Sequence, residues 1–296
     1  MDTQNLKAFL LVAETGSFSL AAQKLHLTQP AVSKRVAQLE EQLAIELFDR
    51  IGRTVSVTEA GQALLPHAQA VQQELQAAEQ SIRDLEGGVA GDLRLATSHH
   101  IGLHRLPPLL SYFSTAFPDV KIDIDFMDSE QAYELVMQGS VELAVVTLAP
   151  TSEASIITLP VWQDPLDFMA HKDHALAHAT QVDLGALSQH PAILPGLNTY
   201  TGQIVKRLFD RHGLPLQVSM ATNYLETIRM MASVGLGWTV LPRSMRDSSL
   251  TTLKVGEDRI ERTLGMVYHR RRSLSRAARA FMDALTALGD IGADPD

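Results

Sequence analysis

Gln29, Ser33, Lys34 and Arg35 are spaced to share one face of a helix, and their side chains suit the edges and backbone of DNA. Gln can bridge adenine, Ser can meet several base edges, and Lys or Arg reaches guanine or phosphate. The other face of the same segment carries Ala31, Val32, Val36 and Leu39, the apolar stripe of an amphipathic helix running from Gln29 to about Leu43. Thr28 stands where a cap belongs, and Pro30 falls in the first turn, where a missing N–H costs nothing. From residue 19 to 39 the chain has Lys24, Lys34 and Arg35 and no Asp or Glu. Downstream, residues 49–57 read as a short β-wing with Gly52 at its tip. Arg50, Arg53 and Thr54 would then flank the DNA backbone or enter the minor groove. Ser19, on the preceding helix, completes the expected DNA-facing set.

The histidines are the other distinctive group. His99 and His100 are adjacent, so they cannot both point into one site. His100 and His104, at i and i+4 on a helix, could clasp a metal, but no third ligand stands at telling spacing. The expectation is therefore no metal site and no cofactor. His99 reads better as a hydrogen-bond donor to an anionic effector. No nucleophile elbow, phosphate-binding glycine loop or metal motif is present, so no enzyme is expected.

Local signals place the first group. Leu6, Phe9, Leu10 and Ala13 lie at helical spacing, and Gly16 ends that helix. Ser17 or Ser19 can cap a second helix bearing Ala21, Ala22 and Leu25, followed by a tight turn at His26-Leu27. Two short helices joined by a tight turn, the second polar and basic outside, make a helix-turn-helix.

The run FLLVAETGSFSLAAQKLHLTQPAVSKRVAQLEEQLAIELFDRIGRTVSVTEAG resembles the N-terminal winged helix of LysR-type transcriptional regulators. "GSFSLAAQKL", "TQPAVSKRVAQLE", "LFDR" and "TEAG" fall in that family's order and spacing, and only Val57 departs mildly, standing where Leu usually precedes the Thr. The likeness extends to about residue 290, strongly over the first 65 residues and loosely afterwards. It implies sequence-specific binding of double-stranded DNA, with RNA polymerase as a further contact.

Residues 59–87 form one long helical pattern. Leu64, Ala68, Val71, Leu75, Ala78, Ile82 and Leu85 alternate steps of four and three, the seam of a left-handed coiled coil. Thr58 is a plausible N-cap, and Pro66 is expected to kink the helix locally. A single amphipathic helix packing on its own domain is the alternative, but a helix between two domains has little else to bury against. A homodimer is expected, and the resemblance adds a dimer of dimers. Two recognition helices on two half-sites imply an interrupted inverted repeat in the operator.

After a glycine hinge at residues 88–91, strands alternate with helices over 92–290, the mark of an α/β unit with a mostly parallel sheet. Val120, Ile122, Ile124 and Phe126 alternate with polar residues as in an edge strand, while residues 143–148 are continuously apolar, as in a central one. A helix is expected from about Leu103 to Phe117. The resemblance implies a two-subdomain fold like that of periplasmic binding proteins, with subdomain I at about 92–163 and 267–290, subdomain II at about 164–266, and crossovers near Pro165 and Met266. An effector would then lie where strands end and helices begin. In the first lobe that rule gives Thr97, Ser98, His99, Asp128, Ser129 and Thr147. In the second it gives Pro195, Gly196, Asn198, Thr199, Tyr200 and Thr201, then Thr222 and Asn223. The expected ligand is a small organic anion. Ser129, Thr201 and Asn223 serve equally well as plain helix caps.

The 296 residues hold no cysteine, which removes disulfides, thiolate metal sites and cysteine nucleophiles together. Lys and Arg number 25 against 34 Asp and Glu, a formal charge of -9, which on net charge alone opposes DNA binding. Residues 1–91 carry 7 basic and 11 acidic side chains and residues 92–296 carry 18 and 23. Any positive surface is thus local, confined to the docking face. The basic run at residues 269–272 reads as a solvated face. The N-terminus lacks the basic region of a signal peptide and no stretch is apolar enough to span a membrane, so a cytoplasmic protein is expected. The expected organisation is a winged helix-turn-helix over 1–58, a dimerisation helix over 59–87, a hinge over 88–91 and a regulatory domain over 92–290. A solute-binding protein of the same bilobed fold is the competing reading.

Overall fold

A computed structural model describes residues 1–51, 54–83, 88–151, 153–256 and 260–289. The chain divides into two compact units, the first built essentially from residues 1–88 and the second from the remainder.

In the first unit, local side-chain chemistry sets the helix ends. Asp2 accepts from the Gln4 N–H to start α1 (Thr3–Thr15), and Gly16, at φ +60°, closes it by donating to Val12 O. Ser17, rather than Ser19, caps α2 (Phe18–Lys24) by accepting from Leu20 N. Thr28 occupies the cap position of α3 (Gln29–Leu43), but its hydroxyl makes no cap hydrogen bond; Pro30 is in the first turn. The wing is an antiparallel pair, β1 (Phe48–Ile51) and β2 (Thr54–Val57), in register from Phe48 opposite Val57 to Ile51 opposite Thr54. Its tip, Gly52 and Arg53, lies outside the described residues.

The core of this unit joins Leu6, Phe9 and Val12 of α1 to Val32, Val36 and Leu39 of α3. Phe48 locks the wing to it, with its ring 5.4 Å from Phe9 and 5.9 Å from Phe18. Thr58 then starts α4 (Glu59–Arg83), accepting from Gly61 N and donating to Glu46 O. A Cβ at Gly61 would stand 2.4 Å from Leu47 O, so only glycine lets this helix leave so close to the wing. The helix runs on through Pro66. Its seam is divided: Ala68 is 1% exposed and, with Leu64, belongs to the core of this same unit, whereas Val71, Leu75 and Ile82 are 41%, 40% and 65% exposed. Ala78 is exposed as well, and Leu85 lies outside the described residues.

The second unit is one nine-stranded mixed sheet holding two parallel blocks. The first block is β3 (Gly91–Thr97), β4 (Val120–Phe126) and β5 (Leu143–Thr147), with β4 at the edge and β5 buried at every residue. Between its strands run α5 (His99–His104), α6 (Pro107–Ala116) and α7 (Ser129–Met137). The single helix expected from Leu103 to Phe117 is thus two, because Pro107 begins a helix readily but cannot continue one.

Strand β6 (Ile156–His171) leaves this block, and the second follows. It comprises β7 (Ala192–Leu194), β8 (Val218–Ala221) and β9 (Trp238–Pro242), with α8 (Leu184–Ser188), α9 (Tyr200–Arg211) and α10 (Leu225–Ser233). The short β10 (Leu250–Thr252) pairs with β6, and the short elements α8 and β10 carried no periodic signal. The chain returns through β11 (Ile260–His269) to α11 (Arg276–Gly289). Strands β6 and β11 are antiparallel along their length and are shared by both lobes, β11 pairing with β5 and β6 with β9. Because β11 pairs with β5 from Leu264 to Val267, its crossing lies before Leu264 rather than near Met266. Among the described residues no helix is long and apolar enough to cross a membrane.

Candidate functional site

On the helix-turn-helix, the apolar stripe of α3 turns inward, which leaves Gln29, Pro30 and Lys34 exposed and Ser33 and Arg35 half-buried. Arg35 is not free: its Nη1 donates to Gln4 Oε1 at 3.3 Å, bracing α3 against α1. Ser19 is exposed on α2. Lys24 Nζ lies 2.6 Å from Glu14 Oε1, so the positive contribution counted for it is shared with an acid. The backbones of Arg50 and Thr54 are held in the wing hairpin opposite Val55 and Ile51; their side chains, and all of Arg53, fall outside what is described.

In the second unit, the strand ends converge on a cleft between the lobes containing a cavity of about 50 Å³, room for a few waters. Nine of the residues expected from the strand-end rule line it: Ser98, His99, Asp128, Ser129, Thr147, Thr199, Tyr200, Thr201 and Asn223. Pro195 lines it too. Three do not. Thr97 is fully buried and donates its hydroxyl to Val145 O at 2.7 Å within the sheet. Gly196 and Asn198 instead shape the loop into α9, where Gly196 N donates to Asn223 Oδ1 at 3.0 Å and Asn198 O accepts from Gln203. A Cβ at Gly202 would come within 2.2 Å of Gly196 O, so this helix can start against its own loop only with glycine there.

Several lining groups are committed to holding the two lobes together. Asn223 Nδ2 donates to Asp128 Oδ2 at 2.5 Å across the cleft. The Tyr200 N–H, in the first turn of α9, donates to the Glu130 carboxylate of the other lobe. Burial raises the Glu130 pKa, and burial followed by the Glu130 charge pushes Tyr200 up to about 12. Ser129 accepts from Thr147 N at 3.1 Å, while Thr199 is a true cap, accepting from Gly202 N. Of the three residues left open between cap and contact, Ser129 thus ties α7 to β5, Asn223 bridges the lobes, and Thr201 meets a guanidinium. His99 lies between Phe126, on which it stacks with ring centroids 5.6 Å apart, and the tilted ring of Tyr224 at 4.7 Å.

That guanidinium belongs to Arg262, which the sequence reading missed. Arg262 is only 6% exposed on β11, and it lines the cavity. Its Nε donates to Asp164 Oδ2 on β6 at 2.8 Å and its Nη1 to Thr201 at 3.0 Å. Its Nη2 is buried without a hydrogen-bond partner. Arg105 Nη2 also reaches Asp164, at 3.3 Å. His100, Glu130 and Leu225 are the other lining residues outside the expected set. A wider cavity of about 610 Å³, opening beside Arg243 and Lys254 in the second lobe, contains none of the expected residues.

A DNA-reading helix-turn-helix joined to a bilobed α/β domain with a polar cleft defines a ligand-responsive regulator of transcription. Two family profiles match accordingly: "Bacterial regulatory helix-turn-helix protein, lysR family" over residues 3–62 and "LysR substrate binding domain" over residues 86–289. The chain belongs to the LysR family and is a DNA-binding transcriptional regulator. This removes the solute-binding alternative. It is 61% identical over 108 residues, covering 36% of this chain and 75% of the relative, to an uncharacterised HTH-type transcriptional regulator in the ibpB-leuC intergenic region of Azotobacter vinelandii. It is 28% identical to the RuBisCO operon transcriptional regulator of Allochromatium vinosum, covering 95% of this chain and 94% of that one. The crystal structure of full-length CbnR complexed with its target DNA shares the fold, with a TM-score of 0.69 and 20% identity over 97% of this chain and 99% of that one.

His100 generates a pH prediction. Burial first, then the Arg262 charge, lowers its pKa from 6.5 to about 3. Between those values the unfolded chain binds a proton here and the folded chain does not, so this residue makes stability fall as pH drops from 6.5 toward 3. The full effect is on the order of 5 kcal/mol. Urea unfolding of the His100→Leu variant should show a flatter acid limb than the wild type; parallel limbs would contradict the assignment.

Proposed function

We propose that this regulator binds its operator as a homodimer, and as a dimer of such dimers, through α3 and the wing, and answers to a small organic anion held at Arg262. The unpartnered Nη2 carries the effector reading. A buried donor without an acceptor costs about 1–3 kcal/mol, more when charged, and a carboxylate is the acceptor that suits a guanidinium. Ser98, whose hydroxyl caps nothing, and Thr201 stand in the same cavity. Glu130 already places a carboxylate against the N-terminus of α9, the position an effector's carboxylate would compete for. Since the cavity is small, an acid of more than a few heavy atoms must part the lobes. Differential affinity for open and closed lobes is sufficient to shift the assembly on DNA.

The second copy is expected on the α4 face formed by Val71, Leu75, Ala78 and Ile82, because Leu64 and Ala68 are already used within the protomer. Two recognition helices then read an interrupted inverted repeat. The protein acts in the cytoplasm, catalyses no reaction and contacts RNA polymerase when it regulates.

Three measurements test this reading. In binding assays on operator and mutated operator, Gln29→Ala or Ser33→Ala should cost about 1–3 kcal/mol and relax preference at one position, while Lys34→Ala weakens all DNA alike and lowers the salt slope by about one. Uniform behaviour of all three would misplace the recognition helix. Leu75→Asp combined with Ile82→Asp should sediment as a monomer; an unchanged mass rejects the seam. Among small carboxylates screened by thermal shift, an effector at about 100 times its Kd should stabilise the wild type by about 2.7 kcal/mol and leave Arg262→Met unaffected. Equal stabilisation of both would refute the anion reading.

A further inference from the structure

His100 and His104 stand one turn apart on α5, with ring centroids 4.8 Å from each other, as i,i+4 geometry requires. Glu226, from α10 of the other lobe, brings Oε1 to 2.8 Å from His104 Nε2 and 3.8 Å from His100 Nδ1. The three ligand atoms lie within 4.8 Å of one another, and among the described residues no other group of three or more His, Cys, Asp or Glu side chains is so placed. We propose that His100, His104 and Glu226 form a binding site for a divalent transition-metal ion of the zinc type, which ties the two lobes together across the cleft.

Donor chemistry supports this assignment. Two imidazoles and one carboxylate suit Zn²⁺ and its borderline-soft relatives, whereas Mg²⁺ and Ca²⁺ favour oxygen alone. Zinc bonds of about 2.0–2.2 Å require the ligand atoms to draw in from the observed separations. His100 supplies an independent sign of a ligand: at 4% exposure, neither of its ring nitrogens has a hydrogen-bond partner. Buried imidazoles are normally satisfied. Burial keeps this ring neutral above about pH 3, so its lone pair is available without loss of a proton. Burial would raise Glu226, but the hydrogen bond from His104 keeps it below its usual range and hence ionised. As a ligand His104 would offer the Nε2 lone pair and carry its proton on Nδ1.

Charges around the site have to be counted. Arg262 and Arg105 both oppose a cation near His100, yet both pair with Asp164, and with Glu226 the two guanidiniums face two carboxylates. His104 is 46% exposed, which gives the ion a path from solvent, and three protein ligands leave a position for water. The ion would favour closed lobes and so be thermodynamically linked to whatever the cleft binds.

The site goes beyond the effector reading and does not depend on it. Full-length protein, stripped with EDTA, is titrated with Zn²⁺ by calorimetry and with Co²⁺ by visible absorption. One ion per chain is expected, with a tetrahedral Co²⁺ spectrum. His104→Ala and Glu226→Gln should each weaken binding roughly tenfold or more, while His174→Ala, whose ring sits beside His190 elsewhere in the second lobe, should leave it unchanged. Both ligand variants keep the buried His100 in place, and circular dichroism checks that they fold. The titration needs no anion, which separates this site from the effector. Titration of His104→Ala and Glu226→Gln with wild-type affinity, or an absence of stoichiometric binding, would overturn the proposal.

Discussion

The ion pair between Arg262 and Asp164 is the constraint on which the sensor depends. It joins the two strands that both lobes share, and both partners are almost wholly buried. Charges out of water are tolerated only when paired and hydrogen-bonded, so neither residue can move without the other. Asp164 also receives Arg105, which follows α5, and Arg262 also holds Thr201 in α9. One carboxylate and one guanidinium therefore tie the crossing strands to a helix of each lobe. A change at the free face of Arg262 would reach both lobes through contacts already in place.

Around this fixed crossing, the contacts that span the cleft are of a weaker kind. Asn223 with Asp128, Tyr200 with Glu130 and His104 with Glu226 are hydrogen bonds between partly exposed groups, each worth little net because water can replace the partner. With the crossing held by buried charge, the hydrogen bonds across the cleft are the contacts most readily exchanged for a ligand's. This energetic asymmetry is what a ligand needs in order to shift the balance with its own modest affinity.

Local chemistry was the legible part of the sequence. Caps such as Ser17 and Thr58, the helix-ending Gly16 and the stripes of α1 and α3 depend on neighbours a few residues away. The strand-end rule found most of the cleft because the ends of parallel strands share one side by topology. Arg262 was illegible for the opposite reason: it sits inside antiparallel β11 rather than at the end of a parallel strand, and its meaning comes from Asp164 and Thr201, far away in sequence. The basic run, read as a solvated face, is exposed at Arg270 and Arg271 but also makes structural hydrogen bonds. Arg270 and Arg272 donate to the carbonyls of Ala154 and Val141, serving as struts of the first lobe. Glu226 likewise could not be found from spacing, because it reaches the α5 histidines only after the chain has built the second lobe.

The long helix shows how periodicity can be right and still overstate its use. The four-three pattern runs unbroken from Leu64, but a helix face does not declare which partner covers it. Ala68 is closed off by the protomer's own core, and the close departure allowed by Gly61 explains why: the first turns of α4 lie against the wing's strands and α1. From Val71 onward the helix has left that core, and the same stripe becomes exposed. One amphipathic face is thus divided in two. Its first part fixes the direction in which the helix leaves the DNA-reading unit, and its second is free to meet another chain. A single rigid helix of 25 residues would then convert the geometry of a protein–protein seam into the spacing of two recognition helices.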